Sequence, residues 1–294
     1  MIHKTAVPYY HFIENLVLRR KDCSMKKLWK LVIIITALLT MGSCIESTTL
    51  VRVQKDGSGE VEDTLLMRTD VIQMLMSVSQ EMGEESGDFE LVTREELEQR
   101  AREMGAGVTL TSVENIVTET HTGYRALFTF QDINTLQVNE NPDENVPDSG
   151  SPGEEAPNRE IITFQFEKAK GKNPASLIIN LPREEEGTEG EEPEEMPEGQ
   201  SEDMINMFRE IFKDMKINIA LEIDGRITAT NATHQQGSKV ILMELDFGRI
   251  IQNEEVFREL ALSNTNSLEE TKELLKDVPG IKVEMQDRIE VQFK

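Results

Sequence analysis

Two stretches of this sequence lack any apolar pattern from which a core could be built, and they limit how the remaining residues can fold. Residues 183–203 read REEEGTEGEEPEEMPEGQSED, and residues 139–158 are rich in Asn, Pro, Gly, Asp and Glu. Such blocks repel themselves and bury too little apolar area to offset the entropy of ordering, so both are expected to be disordered, solvated insertions. Neither flanking half holds a complete set of core-forming segments. The expectation is therefore one domain, residues 48–294, carrying two acidic insertions.

Outside the insertions the pattern is mostly that of hairpins. Thr48 to Gln54 and Glu60 to Met67 alternate across the turn residues Asp56-Gly57-Ser58-Gly59, a strand–turn–strand signal. Val71, Met74, Leu75, Val78 and Met82 have helical spacing behind Asp70 as N-cap, and Thr93 with Glu96 forms a capping box for a second helix that stops at Gly105. Val108 to Glu119 and Tyr124 to Phe130 read as paired strands turning near Thr122-Gly123. Strands are expected at Ile161–Phe166 and Leu177–Leu181, a helix at Ser201–Met215, and a three-stranded meander over Lys216–Glu222, Arg226–Thr230 and Lys239–Phe247. Helices at Asn253–Leu262 and Ser267–Leu275 and a last strand over Ile281–Phe293 complete the order. Hairpins without regular β-α-β alternation predict an α+β fold, a mostly antiparallel sheet with helices packed on one face.

Charge excludes one class of partner. The chain has 31 basic and 55 acidic residues, a net −24. The first 43 residues hold seven basic and two acidic residues, so the remainder has 24 basic against 53 acidic, or −29. A polyanion of this size cannot displace counterions from a phosphate backbone, which argues against nucleic-acid binding.

The N-terminal region reads as an export signal. Lys26, Lys27 and Lys30 precede the apolar run LVIIITALL at residues 31–39, which is too short to span a bilayer as a helix. The run ends in Met41-Gly42-Ser43-Cys44. This arrangement resembles a bacterial lipoprotein signal peptide, with Met41 in place of the more usual Leu. The resemblance implies cleavage between Ser43 and Cys44 and acylation of the Cys44 thiol, including palmitate. Residues 25–43 would be the signal peptide and residues 44–47 a lipidated tether, with the chain held on the extracytoplasmic side of a membrane in the cell envelope. By the same resemblance Ile45, which is not Asp, favours the outer membrane where the organism has two. Residues 1–24 show no cleavage logic, and translation is expected to start at Met25. Cys23 and Cys44 are the only cysteines, so the domain itself has no disulfide and no thiolate chemistry.

A second resemblance covers the start of the domain. The segment TLVRVQKDGSGEVE at residues 49–62 is similar to the opening of the LppM-type domain of bacterial lipoproteins, and NATH at 231–234 and MELDFG at 243–248 are similar to segments of uncharacterised bacterial lipoproteins. It implies an architecture and an envelope location, and transfers no catalytic motif.

Little in the domain points to chemistry. His121 and His234 have no second histidine or cysteine at ligand spacing, and no D-x-D-x-D-G loop, phosphate loop, dinucleotide fingerprint or nucleophile elbow is present. No metal and no cofactor is expected. Asn231-Ala232-Thr233 matches a glycosylation sequon by coincidence. The expectation is a non-enzymatic binding or envelope-interaction module that takes an envelope protein or an apolar ligand in a groove around Met74, Met204, Met207 and Phe208, since methionine makes adaptable apolar surfaces. The alternatives are a lipid carrier and an envelope hydrolase using paired carboxylates.

Overall fold

The computed structural model describes residues 45–73, 91–139, 161–182, 209, 212–262 and 268–294, all within the unit Ser43–Lys294. Strict alternation makes β1 (Ile45–Val53) and β2 (Gly59–Arg68): Ser47, Thr49, Val51 and Val53 on one strand and Val61, Asp63, Leu65 and Met67 on the other point inward. Their hairpin turns where the sequence places it. Asp56 Oδ1 accepts from the Ser58 amide at 3.1 Å and hydroxyl at 2.7 Å. Gly57 has φ +92°, and a Cβ there would lie 2.6 Å from the Phe166 ring, so the turn needs glycine on both counts.

The first sheet continues through β3 (Thr109–Val117), β4 (His121–Phe130), β8 (Lys216–Ile223), β10 (Gln235–Gln236) and β11 (Lys239–Asp246), in the spatial order β10-β11-β8-β1-β2-β4-β3. A short β12 (Lys282–Val283) pairs with β11. Every pairing is antiparallel except that of β1 with β8, which is parallel over eight residue pairs. The second sheet has the order β5-β6-β7-β13-β9, from β5 (Gln137–Asn139), β6 (Ile161–Glu167), β7 (Ala175–Asn180), β9 (Ile227–Thr230) and β13 (Arg288–Phe293).

The expectation of a sheet with helices covering one face is overturned. The described residues are mostly β, with eight strands in one sheet and five in the other. A single core cluster joins Val51, Val61, Phe128, Phe130 and Leu221 of the first sheet to Phe164, Leu177, Ile179, Val291 and Phe293 of the second. Strands β6, β7 and β13 of the second sheet each have one apolar face, and that face is buried against another sheet instead of against helices. Helix α1 (Arg94–Glu103) adds Leu97, Ala101 and Met104 to the same core. Three further helices, α2 (Phe247–Gln252), α3 (Glu254–Leu262) and α4 (Leu268–Leu275), contribute Ile250, Phe257 and Leu275 to a separate cluster that also takes in Val283 of β12.

Three local expectations also differ from the structure. The meander does not form: after β8 the chain crosses to the second sheet, where the Arg226 amide donates to the Lys294 carbonyl at 3.0 Å and β9 pairs with β13. The β3–β4 turn falls at Thr118–Thr120, held by the Thr118 amide on the His121 carbonyl at 2.8 Å. Gly123 lies inside β4, where a Cβ would come within 2.0 Å of the Leu65 carbonyl oxygen. Residues 45–47, expected to act as a tether, are the first positions of β1. The acidic insertions lie outside the described residues apart from Asn139, the last residue of β5.

Candidate functional site

One inward position of the first sheet breaks the apolar series. Asp63 sits between Val61 and Leu65 on the buried face of β2, beside Thr49 of β1 and Ala126 of β4, at 5% exposure. A carboxylate there loses its hydration, so it requires partners. Helix α1 supplies the main one. Thr93 caps the helix with both halves of the capping box in place, and the buried residues Leu97, Ala101 and Met104 fix the face it turns to the sheet. Arg100, between them in helical phase, donates from one guanidinium nitrogen to Asp63 Oδ2 at 2.6 Å and to the Tyr124 hydroxyl oxygen at 3.0 Å. Thr49 donates to Asp63 Oδ1 at 3.3 Å, and the Tyr124 hydroxyl also hydrogen-bonds the carboxylate. Tyr124 itself is 1% exposed.

Burial dominates the electrostatics. It pushes the Asp63 carboxyl above its ordinary value, while the Arg100 charge and the hydrogen bonds from Thr49, Arg100 and Tyr124 pull it back only in part. The Tyr124 hydroxyl is raised by burial first and then by the Asp63 charge. For the Arg100 guanidinium, burial works against the charge, but Asp63 and Tyr124 outweigh it and raise its pKa. A cavity of about 110 Å³ opens over the cluster, between α1 and the β5–β6 edge, with Thr49, Asp63, Arg100, Glu103, Gln137 and Asn139 among its walls. By volume it has room for about three or four waters or a small polar group.

The arrangement ties α1 to the first sheet and pairs its own charges. It contains neither a nucleophile paired with a base nor an open metal position. Among the described residues no group of three or more His, Cys, Asp and Glu is placed to hold a metal. His121 opens β4 with Nδ1 2.9 Å from the Thr120 hydroxyl, and His234 accepts the Ile241 amide at its carbonyl at 3.0 Å. Asn231 serves the backbone: its side chain donates to the Arg288 carbonyl at 3.0 Å and accepts the Glu290 amide at 2.7 Å. Next to it Glu284, fully buried, accepts the Thr233 hydroxyl at 2.6 Å, the Thr233 amide at 2.8 Å and the Gln286 amide at 2.9 Å.

Ser43, Cys44, Met74, Met204, Met207 and Phe208 all lie outside the described residues. The Asp63–Arg100–Tyr124 cluster was not among the expected sites. Its trace in the sequence is an acidic residue in phase with Val61, Leu65 and Met67, and an arginine in phase with Leu97, Ala101 and Met104.

No family model matches the chain, and no curated protein matches it. Among solved structures, the folded domain of the Mycobacterium tuberculosis LppM protein is similar over 70% of this chain and 85% of that one, at 9% identity and a TM-score of 0.30.

Proposed function

We propose that the chain is an extracytoplasmic lipoprotein of the cell envelope, anchored through Cys44, whose β-rich domain binds a partner or an apolar ligand and performs no catalysis. The observation that carries this reading is the position of β1. The compact unit of the fold is Ser43–Lys294, and β1, described from Ile45, takes up a central place in its first sheet. Cleavage before Cys44 would remove the basic and apolar leader and leave Ile45–Val53 of β1 in place, one residue inside the Gly42/Ser43 border of the compact unit, which supports the processing point read from sequence. Two or three acyl chains give practically permanent attachment, which a strongly acidic domain could not achieve through charge.

Metabolic labelling with a palmitate analogue tests the anchor. Label on the wild-type chain, lost in Cys44→Ala and accompanied by a globomycin-sensitive shift in mass, is the expected result. Label that persists in Cys44→Ala overturns it.

A further inference from the structure

At the end of the first sheet where β1 begins, four strands meet in one row. Ile45 pairs with Met67, Met67 with Thr122, and Thr122 with Val117. Alternation carries all four side chains to the same face of the sheet. Met67 is buried at 1% exposure, yet Val117 is 75% exposed, the one large apolar side chain so open among the described residues. With neighbouring strands about 4.8 Å apart, Val117 lies about 14 Å along this row from Ile45. Beyond it projects the Thr118–Thr120 turn, held by the Thr118 amide on the His121 carbonyl at 2.8 Å and by the Thr69 amide on the Thr120 carbonyl at 2.9 Å.

We propose that this end of the sheet, led by Val117 and the Thr118–Thr120 turn, rests on the lipid bilayer that holds the anchor. The inference depends on acylation of Cys44. Consecutive Cα atoms are about 3.8 Å apart, so an acylated Cys44 holds Ile45 at the membrane surface, and the pairing of Ile45 with Met67 leaves no slack chain between anchor and sheet. The row, and Val117 with it, is then brought to the same surface. Several acidic side chains near this end are paired: Arg68 with Asp70 at 2.6 Å and with Asp214 at 3.3 Å, and Arg249 with Asp246 at 3.5 Å, while Glu119, in the turn itself, is exposed and would sit among the headgroups. A zwitterionic interface therefore suits it, whereas an anionic one would repel the domain as a whole.

The test uses the processed, lipidated protein in phosphatidylcholine vesicles. Once Cys44 is acylated the chain has no other thiol after it, so Val117→Cys takes a single environment-sensitive fluorophore. Lys55→Cys, in the exposed β1–β2 turn at the opposite end, is the reference. The expected result is a blue shift at Val117 with loss of iodide quenching and gain of quenching by brominated lipid, none of which occurs at Lys55. Protein that floats with the vesicles while its Val117 label remains as open to iodide as the Lys55 label overturns the orientation and leaves the anchor standing. Protein that carries no lipid and fails to float overturns both.

Discussion

In Arg100→Met the charge that offsets the burial of Asp63 disappears while the carboxyl stays under α1 and the second sheet. A buried charge stripped of its partner costs about 3–5 kcal/mol. Asp63 can escape that cost by taking up a proton, which from the ordinary aspartate value costs at most about 4 kcal/mol at pH 7 and about 1.5 kcal/mol at pH 5. The hydroxyls of Thr49 and Tyr124 remain to support it. The expected loss in urea denaturation is about 3 kcal/mol at pH 7, shrinking to about half that at pH 5. In a unit of this size the neutral-pH loss corresponds to a fall of about 6–12 °C in Tm. Asp63→Asn in the Arg100→Met background holds the site in its uncharged form, and is expected to return stability to within about 1 kcal/mol of wild type. A loss below about 1 kcal/mol at pH 7, or a loss that neither acid nor Asp63→Asn relieves, refutes the reasoning.

Asp63→Asn alone gives a pH dependence of known sign. Because the folded-state pKa of Asp63 is raised, its contribution to stability is fully present below the ordinary aspartate value and is lost as pH rises through the folded value. Wild type should therefore lose stability relative to Asp63→Asn across that window, measured by urea titrations at a series of pH values. In Glu284→Ala the Thr233 and Gln286 amides lose their acceptor in a buried site, at an expected cost of about 2–3 kcal/mol in the same assay. Glu284→Gln keeps an acceptor oxygen and should recover part of it.

The parts of this fold that were legible in the sequence are those decided within a few residues. The β1–β2 hairpin follows from period-two alternation around Asp56-Gly57, and the start of α1 from the Thr93/Glu96 box, whose two hydrogen bonds both form. What covers a strand is not written in the strand. Phe164, Leu177 and Ile179 announce one buried face each, and that pattern reads the same under a helix as under a second sheet. The departure of β9 to the second sheet depends on the Arg226–Lys294 backbone pair, which joins residues far apart in the chain. Asp63 was visible as an acidic residue on an apolar face, but the identity of its cation was not, since Arg100 reaches it through tertiary packing of α1.

The most direct test of the account is the intact mass of the mature protein extracted from membranes with detergent. The account predicts a chain that begins at Cys44 and carries a thioether-linked diacylglyceryl group. A chain that retains residues before Cys44, or one that presents an unmodified Cys44 thiol, contradicts it.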